Sequence, residues 1–212
     1  MPHLQSLNIC IQHKFDEPTT AFTTAIHTAH VQALGSTLRA WSSKLSSLGI
    51  RGLPLTEELL ESFRGLHKLR CLRLPNANLD DSLISVLCRC APNLSRLHVA
   101  GNARLTTLDA LGRDLPNLES LDIRRTGIDA THVQHHIFRA PSDKYAETGR
   151  SEDSEEHGYF PRLKILWMTP PRTFSARALA LVRMAAKASR PQCTINPRRS
   201  PEYHDDGTVF VL

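Results

Sequence analysis

The sequence predicts an α/β solenoid: a curved parallel sheet with helices on its convex side, about five to six repeats long and interrupted by two insertions. Three observations predict it. The phrase L-x-x-L-x-[LIVM] occurs six times, as Leu4-Leu7-Ile9, Leu45-Leu48-Ile50, Leu69-Leu72-Leu74, Leu94-Leu97-Val99, Leu118-Leu121-Ile123 and Leu163-Leu166-Met168. The first leucines stand 41, 24, 25, 24 and 45 residues apart, so three consecutive gaps share one period and the two outer gaps are longer. Each phrase alternates apolar and variable residues, as a short strand with one buried face does, and then gives way to a polar stretch and a helical pattern.

The clearest helix is "NLDDSLISVLCRC". Leu79, Leu83, Leu87 and Cys90 recur at three or four residues, and Asp80 or Asp81 is placed to cap its start. A strand, a turn and a helix in one period cannot bury their apolar side alone; stacking the units makes a continuous core. Four of the phrases are led in by apolar-Pro-x-Leu: Met1-Pro2-His3-Leu4, Ala91-Pro92-Asn93-Leu94, Leu115-Pro116-Asn117-Leu118 and Phe160-Pro161-Arg162-Leu163. Proline there stops the preceding helix and biases the chain towards an extended approach to the strand.

The repeats are expected over 1–169. The first insertion, about 12–40, carries Ala21, Phe22, Ala25, Ile26, Ala29, Val31 and Leu34 at helical spacing, with Gly35 as the expected stop. The second, about 139–159, is polar and poor in aliphatics, and disorder is expected for it. Residues 170–212 are expected to form a C-terminal capping helix, "TFSARALALVRMAAKASR", followed by a tail in which "QCTINP" and "GTVFVL" read as edge strands.

The pattern resembles the leucine-rich repeats, most closely the cysteine-containing subtype of F-box/LRR proteins, whose C-P-x-L-x-x-L-x-L phrase is matched best by "LRLPNANLDDSLISVLCRCAPNLSRLHVAGN". Ala91, Leu115, Met1 and Phe160 stand where that subtype has its cysteine, with Cys90 one place early, and these residues contain no F-box pattern. The resemblance implies a protein-interaction scaffold with a recognition surface on the concave face. It implies, further, the substrate-recognition part of an SCF-type ubiquitin ligase.

Strand geometry names the candidate residues. In L-x-x-L-x-[LIVM] the leucines point inward, so the intervening positions face out. One column is Asn8, Gly49, Arg73, His98, Asp122 and Trp167. It is flanked by Ser6, Ser47, Cys71, Arg96, Ser120 and Ile165 on one side and by Arg51, Pro75, Ala100, Arg124 and Thr169 on the other. Arg73, Arg96, His98, Asp122, Arg124 and Trp167 are the expected partner-binding residues, because arginine and tryptophan dominate binding hot spots.

Charge bounds the partner. The 212 residues carry a net charge of +5, yet 141–158 holds six acidic and two basic residues, so the rest of the chain is strongly basic. An acidic protein partner fits that body, and the acidic segment is expected to compete for the same surface. Nucleic acid is the alternative ligand; aromatics are only 6% of the chain and are not interleaved with the basic residues as base-stacking platforms require.

No apolar run is long enough for a membrane span, and Met1–Cys10 has neither the basic start nor the apolar core of a secretory signal. A monomer in the cytoplasm or nucleus is expected, with its five cysteines reduced. Cys88 and Cys90 form a C-x-C pair without a second pair, and His132, His135 and His136 share a helical face without a completing ligand, so no metal is expected. No nucleophile elbow, P-loop or dinucleotide fingerprint occurs, and neither an enzyme nor a cofactor is expected.

Overall fold

Leu7, Leu48, Leu72, Leu97, Leu121 and Leu166 lie in register across six short parallel strands, each leucine beside the next. The strands are β1 (Ser6–Cys10), β2 (Ser47–Arg51), β3 (Cys71–Arg73), β4 (Arg96–His98), β5 (Ser120–Asp122) and β6 (Ile165–Met168). A computed structural model describes residues 4–10, 21–40, 44–137, 160–168, 184, 194–199 and 206–211. All six strands fall on the repeated phrase, and they stand side by side in chain order. Two antiparallel strands extend the sheet: β8 (Asp206–Val211) pairs with β6, and β7 (Thr194–Arg199) pairs with β8. Both tail segments are therefore strands, but only β7 is an edge strand as read; β8 pairs on both sides, with β6 and with β7. The expected capping helix over 173–190, apart from helical Met184, and the acidic insertion both lie outside the described residues.

The leucine side of the sheet is the core. Leu48, Leu72, Leu97, Leu121 and Leu166 are fully buried, and so are Leu45, Leu74, Leu94, Val99 and Leu87. Each such side chain contributes about 1.5–3 kcal/mol of transfer free energy. The helices are α1 (Ala21–Ala40), α2 (Glu57–Glu61) with a following 3-10 turn, α3 (Asp81–Cys90), α4 (Asp109–Asp114) and α5 (Ala130–Ile137). α2 packs on α1 and α3, and α3 on α4.

Three local features depart from or refine the sequence reading. α1 does not stop at Gly35 but runs on to Ala40. A helical glycine costs only about 1 kcal/mol, and the extra turn carries Leu38 into the core at 0% exposure. The proline lead-in is a tight turn rather than an extended approach: Leu94, Leu118 and Leu163 donate their backbone N–H to the carbonyls of Ala91, Leu115 and Phe160 at 3.3, 3.1 and 3.3 Å. Proline occupies the first central position, where its fixed φ suits a turn. Asp80, not Asp81, caps α3, accepting from the Leu83 N–H at 3.0 Å.

Asp81 instead joins two repeats. Its carboxylate accepts from the Thr106 and Thr107 N–H groups at 2.8 and 3.0 Å and from Thr106 Oγ1 at 2.6 Å. Asn102, 1% exposed, is a second bridge. Its Oδ1 accepts from the Ala77 and Leu79 N–H groups at 2.9 and 3.0 Å, and its Nδ2 donates to the Leu74 and Val99 carbonyls at 3.0 and 2.7 Å. The turns after β2, β3, β4 and β5 also repeat one backbone conformation. Gly52, Asn76, Gly101 and Arg125 all have left-handed φ, of 74°, 52°, 78° and 55°. At Gly101 the left-handed backbone favours glycine, and a Cβ there would displace the Asn76 side chain.

Candidate recognition surface

The face of the sheet opposite the leucines carries the candidate residues, and the pairing register confirms the rows that alternation defines. Asn8, Gly49, Arg73, His98, Asp122 and Trp167 stand in one row across β1–β6, and Ser6, Ser47, Cys71, Arg96, Ser120 and Ile165 in the next. Ser6, Asn8, Cys10, Arg51, Arg73 and Arg96 are exposed on this face. No described element covers it there.

The six expected residues divide into two groups. His98, Asp122, Arg124 and Trp167 form one contacting cluster on β4–β6. Arg124 Nε and Nη2 donate to the two oxygens of Asp122 at 2.9 and 2.7 Å, a bidentate fork. The Arg124 backbone N–H adds a third bond to Asp122 Oδ1 at 3.2 Å. His98 Nδ1 lies 3.4 Å from Asp122 Oδ2. The Arg124 guanidinium carbon sits 5.3 Å from the centre of the Trp167 ring, within cation–π range. Burial pushes the Asp122 carboxyl up, but hydrogen bonds from Arg124 and His98 and the arginine's charge outweigh it, and the group lies below its ordinary value.

This cluster corrects one expectation. Asp122 and Arg124 occupy the outward-facing positions, yet they are 2% and 8% exposed. The fork folds the arginine down onto the sheet, so neither side chain is offered freely to solvent. His98 and Trp167 are half-buried beside them.

Arg73 and Arg96 form the second group. Both are exposed, and among the described residues neither side chain makes a hydrogen bond or ion pair. Arg51, on the same face at the end of β2, shares that state. Across β1–β6 and the residues that end them, four arginines and one aspartate leave this face a net charge of +3.

The helical side holds the remaining chemistry-bearing residues. The His132 and His136 rings stack with centroids 5.9 Å apart. His132 Nδ1 lies 3.0 Å from Asp129 Oδ1, and His136 Nε2 lies 3.2 Å from Asp109 Oδ1. The His135 side chain lies outside the described residues. Among the described residues no group of three or more histidine, cysteine or acidic side chains is arranged to hold a metal ion. Cys10, Cys71, Cys88 and Cys90 are free thiols. Burial pushes the Cys88 thiol up to about 12, which keeps it protonated. No described helix is long and apolar enough to cross a membrane.

Compared with known proteins, the chain matches no protein-family model and no curated protein sequence.

Proposed function

We propose that the chain is a leucine-rich-repeat scaffold that binds a protein partner on the face of its sheet opposite the leucines, the concave side of a solenoid. One observation carries the reading: among the described residues, the six parallel strands keep one face bare of helices over β1–β4. Parallel sheets are ordinarily covered on both faces. An open face that presents exposed arginines on β2, β3 and β4, with no hydrogen bond or ion pair among the described residues, has the composition of a binding surface rather than of a solvated wall. The repeat phrase and its cysteine-bearing helix support a more particular version, in which the partner is a substrate delivered to an SCF-type ubiquitin ligase in the cytoplasm or nucleus.

A photo-crosslinking residue placed at position 73, compared with one at exposed position 89 on the helical side, tests the reading in cells. A protein partner captured from position 73 and not from 89 is the expected result; equal capture from both, or none, removes it. Co-purification of a cullin-ligase adaptor with the full-length protein tests the ligase version separately. The +3 face supports one rival, nucleic acid, whose binding would weaken steeply with salt.

A further inference from the structure

Arg51, Arg73 and Arg96 do not form a straight column. Gly49 is in register with Arg73, so Arg51 stands one strand over and two residues along from Arg73. Cys71 is in register with Arg96, so Arg73 stands one strand over and two residues along from Arg96. The three therefore step diagonally across β2, β3 and β4 with the same offset each time. Strand spacing and residue rise put successive Cα atoms on this diagonal about 8 Å apart. All three are exposed and point away from the leucine core, since Ile50, Leu72 and Leu97 beside them are buried.

We infer that this diagonal is a docking track for an extended acidic peptide with carboxylates at alternate residues. The inference rests on the reading of this face as a protein-binding surface and names the chemistry of what lies on it. In an extended chain, side chains two residues apart project to one side at a spacing of about 6.6 Å. The mismatch of about 1.5 Å per step is small against the reach of an arginine side chain, whose fork takes a carboxylate in two parallel hydrogen bonds. Charge on the face favours the same ligand: its one acid, Asp122, is already occupied by Arg124, so nothing on the described surface competes for the three open guanidiniums. A nucleic-acid strand has charges at comparable intervals, but the described face offers its bases one aromatic ring, Trp167, two strands away from Arg96 and engaged by Arg124.

The test uses the full chain and three fluorescent probes: a peptide alternating aspartate and glycine with three acids, its isomer with the three acids in a block, and an eight-nucleotide oligo-uridine. The alternating peptide is expected to bind at least fivefold tighter than the block isomer and tighter than the oligonucleotide. Arg51→Gln, Arg73→Gln and Arg96→Gln are each expected to weaken it about five- to tenfold. Arg89→Gln, on the helical side, is the control and is expected to leave it unchanged. Equal affinity for the two peptides overturns the register argument, and tighter binding of the oligonucleotide that falls in the same three variants reassigns the track to nucleic acid. Should no probe bind while position 73 still crosslinks a protein, the acidic-peptide inference fails and the protein-binding face stands; should crosslinking fail as well, both fail. Unchanged thermal transitions of the variants exclude loss of fold as the cause.

Discussion

Arg51 and Arg124 occupy the same position of their repeats, each following the apolar residue that ends the phrase, and they behave oppositely. Arg51 is exposed, whereas Arg124 is 8% exposed, forked onto Asp122 and set over Trp167. The difference lies two residues upstream. Gly49 precedes Arg51 and offers it no acceptor; Asp122 precedes Arg124 and offers two oxygens. One repeat position thus yields an available charge at the end of β2 and a structural one just beyond β5. The lesson is that outward direction on this face does not by itself make a residue available. What its neighbours in the row carry decides.

The largest effect is expected where the structural half is broken. Asp122→Ala leaves the Arg124 charge buried without its carboxylate, and breaking one side of such a pair costs about 3–5 kcal/mol. For a chain of this size that is a fall in Tm of roughly 10 °C. Arg73→Ala should leave Tm nearly unchanged in the same experiment. If the two variants melt alike, the contrast between the halves is wrong. Replacing the pair together, Asp122→Leu with Arg124→Met, should recover most of the loss, because well-packed apolar residues often match a buried ion pair in stability.

A titration sharpens the same contrast. The folded Asp122 carboxyl lies below its ordinary value, so its contribution is fully present above the unfolded value near 3.9. It is lost as pH falls through the lower folded value, because the unfolded chain then takes up the proton more readily. Denaturant midpoints measured from pH 6 to pH 2.5 should fall less steeply in Asp122→Asn than in the native chain. Parallel curves would mean that the fork does not bias the protonation of Asp122.

The strands were legible because their signal is local and repeated: a leucine, one variable residue and a second apolar residue, at a fixed period. The rows of the open face followed directly, since strand alternation and a constant register leave little freedom. The helix at 81–90 was legible for a similar reason, with spacing and a capping acid in one short run. What stayed hidden is what depends on a partner distant in sequence. Asp81 looked interchangeable with Asp80 as a cap until Thr106, 25 residues on, claimed it. Asn102 reads as a turn residue, yet it ties Leu74, Ala77, Leu79 and Val99 together. A faint signal existed: it falls three residues after the phrase, where Thr126 in the next repeat also bonds back, to the Ile123 carbonyl at 2.8 Å. The Asp122–Arg124 fork was visible as an i, i+2 pair of opposite charges on one face. Its burial was not, because that depends on Trp167 and His98 from neighbouring strands.

Smaller effects come from the turns that end the strands. Beside the open arginines the left-handed position is filled by Gly52, Asn76 and Gly101, but beside the clamped one it is filled by Arg125. A long side chain there carries conformational strain that glycine or asparagine relieves, partly offset for glycine by greater freedom in the unfolded chain. Arg125→Asn, which copies Asn76, should therefore stabilise by about 0.5 kcal/mol, a rise in Tm of roughly 1–2 °C. A fall in Tm instead would mean that the arginine side chain contributes more than its backbone strain costs.

The smallest expected change is also the most discriminating. Arg73→Gln and Arg96→Gln together should move Tm by no more than about 1 °C, as exposed substitutions away from buried networks do. The same double variant should lose the partner captured at the open face. Stability without binding is the signature of a charge kept for recognition, and it is the reverse of what Asp122→Ala should show. If the double variant melts well below the native chain, Arg73 and Arg96 hold the sheet together as Arg124 does, and the division of the face into structural and available charge collapses.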